Sequence, residues 1–121
     1  MQKIDGTTIM INRGDVLNLT LTIKDDDDTY TFQVGDTIKF SVYGKNALNL
    51  DPVLTKTITI DAETTTAEIN LSSADTKIGE YLNKPIDYWY EVELNGQYTV
   101  IGYDESGAKI FKLFPEGYQL W

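Results

Sequence analysis

Three groups of residues could do chemistry. Glu91 and Glu93 lie two apart, and with Asp87 and Trp89 they fall on one face of any extended segment through them. Paired carboxylates beside an aromatic ring suggest glycoside hydrolysis, one acting as acid and the other as base or nucleophile. On an exposed strand, i and i+2 carboxylates are ordinary solvated charges, so this face is expected to be non-catalytic. Asp25-Asp26-Asp27-Asp28 puts four carboxylates in a row. Calcium takes roughly six to eight oxygens from spaced ligands. The run lacks the alternation, glycine and distal glutamate of an EF-hand loop, and like-charge repulsion makes it a solvated hairpin tip. Arg13-Gly14-Asp15 spells a cell-adhesion tripeptide, which would need a mobile loop tip. Ahead of the run starting at Val16 it reads as a turn, with Gly14 supplying positive φ.

The missing residues exclude more than the present ones suggest. The chain has no cysteine, which removes disulfides, thiolate catalysis and thiolate metal sites. It has no histidine, which removes the usual general base and the commonest zinc ligand. No catalytic residue, cofactor or metal site is therefore expected. The net charge of −9 repels phosphate backbones and anionic lipid heads, so neither nucleic acid nor membrane is an expected partner. Residues 1–6 contain no apolar h-region, so no signal peptide is expected and synthesis is assigned to the cytoplasm.

The elements that must position these side chains are short strands. Leu17, Leu19, Leu21 and Ile23 alternate with Asn18, Thr20, Thr22 and Lys24, the period of a half-buried strand. Ile38, Phe40 and Val42 form a second such face, and residues 54–60 and 66–71 a third and fourth. Residues 30–32 read as a short return strand. Residues 88–101 read as a β-hairpin around Asn95-Gly96, because a type I′ turn needs positive φ at both central positions. Ser72 or Ser73 followed by Asp75 or Thr76 predicts one short helical turn near 72–79, ended by Gly79. Residues 109–114 form a last strand. The 121 residues suit one domain, with its core at about 9–114. The rhythm predicts an all-β fold: a single antiparallel, immunoglobulin-like β-sandwich of about seven to nine short strands.

Fourteen aromatic residues, eight Tyr, four Phe and two Trp, gather toward the C-terminal third. With Tyr88, Tyr90, Val92 and Leu94 inward, Trp89 faces outward. Phe111 and Leu113, or their alternates Ile110 and Phe114, face outward too. Two apolar faces imply a cover, either a loop of the same chain or a neighbouring subunit. A sugar-stacking platform is a third use of such rings. Leu120-Trp121 ends the chain on an apolar pair. The expected interface residues are Trp89, Phe111, Leu113, Leu120 and Trp121.

The order of these signals resembles a known group of proteins. Asn12-Arg13-Gly14-Asp15 leads into Leu17-Asn18-Leu19-Thr20-Leu21-Thr22. Val34-Gly35-Asp36-Thr37-Ile38-Lys39-Phe40-Ser41-Val42 follows, then Ile69-Asn70-Leu71-Ser72-Ser73-Ala74-Asp75-Thr76, then Ile86-Asp87-Tyr88-Trp89-Tyr90-Glu91-Val92-Glu93-Leu94. This series is similar to the immunoglobulin-like N-terminal domain of phage baseplate upper proteins and related short prophage proteins. The resemblance spans residues 9–114. It implies a non-enzymatic virion component of tail, baseplate or head, whose partners are other virion proteins and further copies of itself. The family has no catalytic set to carry over. The baseplate proteins continue past this module into assembly regions. The rival expectation is an extracellular carbohydrate- or protein-binding β-sandwich.

Overall fold

The computed structural model describes residues 2–48, 50–80 and 83–120. It is all-β. The strands are β1 (Gln2–Asp5), β2 (Thr8–Asn12), β3 (Leu17–Leu21), β4 (Lys24–Asp25), β5 (Asp28–Thr29), β6 (Thr37–Tyr43), β7 (Leu54–Thr59), β8 (Ala67–Leu71), β9 (Ile86–Leu94), β10 (Tyr98–Ile101) and β11 (Lys109–Phe114). One large sheet runs β1-β2-β11-β9-β6-β7, and β10 also pairs with β9. β3 and β8 form a separate two-stranded sheet, as do β4 and β5.

The large sheet is mixed, which corrects the expected all-antiparallel pairing. β11 runs parallel to β2, with Phe111 opposite Ile9 and Leu113 opposite Ile11. A parallel pair needs a long crossover, and here almost the whole chain lies between the two strands. The strand from 30 to 32 is also absent as such. The aspartate run itself makes the ribbon, Lys24 pairing with Thr29 and Asp25 with Asp28, with Asp26 at φ 56° in its turn. Phe32 instead forms an isolated bridge with Thr64.

Both sheets face one core. β3 supplies Leu17, Leu19 and Leu21, and β8 supplies Ala67, Ile69 and Leu71. The large sheet supplies Ile9, Ile11, Ile38, Phe40, Val42, Tyr90, Val92, Leu94, Phe111 and Leu113. Each set comes from alternate positions, as the pleat requires. Burying a side chain of this size stabilises by about 1.5–3 kcal/mol.

Local chemistry explains the turns. Asn95 (φ 55°) and Gly96 (φ 65°) take the expected positive φ and the Gln97 N–H donates to the Leu94 carbonyl at 3.0 Å, but Leu94 pairs with Tyr98, so three residues and not two join β9 to β10. Asn95 also ties that turn to β6, its Oδ1 accepting from the Thr37 N–H at 2.8 Å. At 72–79 the expected reciprocal cap forms: the Ser72 N–H donates to Asp75 Oδ2 (2.9 Å) and the Asp75 N–H donates to Ser72 Oγ (3.2 Å). No helix follows it, and the expected helical turn is only a hydrogen-bonded bend. The buried Thr76 hydroxyl is pinned elsewhere, donating to the Asp15 carbonyl at 2.7 Å and accepting from the Gly14 N–H at 3.1 Å. Two residues on, Ile78 enters the core.

Candidate functional site

β9 is the spine of the candidate site, because its outer face carries Asp87, Trp89, Glu91 and Glu93 between two neighbours. On one side Trp89 lies opposite Ile110 of β11, and on the other opposite Tyr43 of β6. These three side chains form a row across the face turned away from the core, with Ile110 and Trp89 half-buried and Tyr43 buried at 8% exposure. Tyr103, in the loop between β10 and β11, adds a fourth. Its ring centroid lies 6.0 Å from that of Trp89 at 45°, and it is 66% exposed. Val53, 50% exposed and immediately before β7, donates its N–H to the Val42 carbonyl at 2.7 Å.

Three carboxylates on this face each have a neighbour on the sheet. Glu91 Oε1 accepts a hydrogen bond from the Tyr43 hydroxyl at 2.9 Å. Burial, and then the Glu91 carboxylate, hold the Tyr43 phenol above its ordinary pKa. Glu93 is 3.6 Å from Lys39 Nζ, and Asp87 is 3.7 Å from Lys112 Nζ. Each acid therefore has its own partner on the sheet. Among the described residues no group of three or more acidic side chains could hold a metal ion. The face can bind through aromatic and apolar area rimmed by paired charges.

The structure separates the five expected interface residues. Trp89 is half-buried on the outer face. Phe111 and Leu113 are not on it: both are 0% exposed, inside the core. Register is the cause, since Phe111 pairs with Tyr88 and Leu113 with Ile86 on the inward face of β9. The alternates Ile110 and Phe114 hold the outward positions. Phe114 is covered by the chain's own tail, its ring 4.9 Å from that of Tyr118. Asn12 Nδ2 clamps that tail by donating to the carbonyls of Pro115 (3.0 Å) and Tyr118 (2.6 Å). Leu120 is half-buried, and Trp121 lies outside the described residues. Tyr43 and Tyr103 are the members that sequence reasoning missed. Tyr43 had a signal, as the next outward position after Lys39 and Ser41. Tyr103 sits in a loop, where periodicity says nothing.

Arg13-Gly14-Asp15 is a pinned turn. Gly14 has φ +88°, and Arg13 donates from Nε to the Ile78 carbonyl (3.1 Å) and from Nη2 to the Gly79 carbonyl (2.7 Å). Arg13 Nη1 pairs with Glu116 at 2.6 Å. A tripeptide whose arginine ties down two other segments does not present a mobile tip.

No family model, no curated protein and no solved structure matches this chain.

Proposed function

We propose that the chain is a non-enzymatic structural subunit of a phage or prophage particle, an immunoglobulin-like β-sandwich that acts through protein–protein contacts. The observation that carries the contact surface is Tyr103, 66% exposed and set over the half-buried Trp89, with Ile110 beside them. Tryptophan and tyrosine are enriched at protein interfaces because they bury large area at small entropic cost. The acidic charge keeps a free subunit soluble before assembly. The class of partner comes from the resemblance of residues 9–114 to baseplate domains.

The same rings are the observation that favours a carbohydrate-binding module.

Prophage induction followed by peptide mass spectrometry of purified particles tests the reading. Recovery of the chain in stoichiometric amount supports it. Absence from abundant, intact particles overturns it and puts the binding module first.

A further inference from the structure

β3 pairs with β8 along one edge only, and its other edge opens onto an apolar cleft. In an antiparallel pair, residues alternate between turning their backbone groups toward the partner and away from it. Asn18 turns both of its groups away from β8. Its N–H donates to Gln2 Oε1 and its carbonyl accepts from Gln2 Nε2, each at 2.8 Å. The Gln2 side-chain amide thus stands where the peptide unit of a neighbouring strand would stand.

Thr20 has the same parity as Asn18, so its N–H and C=O face the same edge. Among the described residues nothing bonds to them. The Thr20 side chain is turned aside, its hydroxyl donating to the Glu68 carboxylate at 3.0 Å. Beside this free peptide unit lies a cleft of about 140 Å³, lined by Ile4, Leu19, Leu21, Tyr90, Val92 and Ile101 among others. An apolar cavity of roughly 150 Å³ accepts a benzene ring, so this one fits a single aliphatic or aromatic side chain.

We propose that the outer edge of β3 accepts an extended segment of another protein, which pairs with the Thr20 backbone and places one apolar side chain in the cleft. Main-chain bonds would supply affinity and the cleft selectivity, as in strand addition generally. The chain carries a net charge of −9 and Glu68 sits beside Thr20, so the segment is flanked by Lys or Arg. A second copy of this acidic chain is the poorer occupant. The edge lies on different strands from the aromatic row and stands or falls independently of it.

The test pans a displayed library of short random peptides against the intact chain, then titrates the enriched peptide into isotope-labelled protein by NMR. The expected peptides carry an apolar residue between basic ones. They shift the amides of residues 18–22 and the methyls of Ile4 and Ile101. Thr20→Pro, which removes an N–H that β8 does not use, should weaken binding about tenfold. Ile4→Trp, which fills the cleft mouth from a half-exposed position, should do the same and carries the test if Thr20→Pro does not fold. Trp89→Ala should leave the affinity unchanged, which separates this edge from the contact proposed above. The inference is overturned if no peptide is enriched, if the shifts map elsewhere, if neither edge variant weakens binding, or if the chain occupies this edge with its own copies.

Discussion

The two faces of β9 are built from adjacent residues and do opposite things. The inward set, Tyr90, Val92 and Leu94, meets Phe111 and Phe40 in a core with almost no solvent contact, and the half-buried Tyr88 packs against it. Burial pushes the Tyr90 phenol up to about 12, and its hydroxyl donates to the Thr7 carbonyl. The outward set, Asp87, Trp89, Glu91 and Glu93, pairs Asp87 and Glu93 with lysines, gives Glu91 a tyrosine hydroxyl, and holds the Trp89 ring half-exposed. Hydrophobicity alone does not separate the two, since Ile110 and Phe111 are equally apolar neighbours. Pairing register does, because a shift of one residue exchanges the faces.

Four measurements sharpen or break that contrast. The largest effect is expected at Phe111. Phe111→Ala should lower stability by about 3–5 kcal/mol, read as a drop in the urea midpoint with the slope unchanged. Ile110→Ala beside it should cost less than about 1 kcal/mol. Equal losses at the two positions would mean that the faces are assigned wrongly.

Thr76 comes next. Thr76→Val keeps the shape but removes the buried hydroxyl that serves the Asp15 carbonyl and the Gly14 N–H, an expected loss of about 1–3 kcal/mol. No loss would show that the bend at 72–79 is held by its cap alone. On the outer face, Trp89→Ala should cost about 1 kcal/mol or less in stability while abolishing incorporation into particles. A large loss of stability without loss of incorporation would make the aromatic row structural.

The smallest effect concerns acid. Asp36 accepts from the Gln33 N–H (2.9 Å), the Tyr30 hydroxyl (2.7 Å) and Asn95 Nδ2 (3.1 Å). These bonds, the Gln33 amide first, hold its carboxyl below the ordinary value. A depressed folded pKa contributes stability that is complete above the unfolded value, about 3.9, and lost as pH falls through the lower folded one. Asp36→Asn should therefore be less stable than the parent at neutral pH and lose less on acidification in that window. Parallel curves for the two proteins would contradict it.

Much of the fold is legible in the sequence, for identifiable reasons. The strands at 17–21, 37–43, 54–59 and 67–71 follow from period-two alternation, and the 95–96 turn from the positive φ that Asn-Gly allows. The parallel β2–β11 pair was not legible, because nothing local marks a contact between the two ends of a chain. The Ser72–Asp75 cap was read correctly, yet the helix it usually starts did not form, since Thr76 and Ile78 are claimed by tertiary contacts. Trp89 was placed on the outer face by parity, and Phe111 and Leu113 were misplaced because parity within a strand does not fix its partner's register.

The outer face of β9 is proposed above as the contact surface of a particle subunit. Hydroxyl-radical footprinting of purified particles and of the free chain, read residue by residue by mass spectrometry, tests it most directly. Trp89 and Tyr103 are expected to be oxidised in the free chain and protected in the particle, while Tyr98, exposed on β10, stays reactive in both. Equal oxidation of Trp89 and Tyr103 in the two states, or particles that lack the chain, would contradict it.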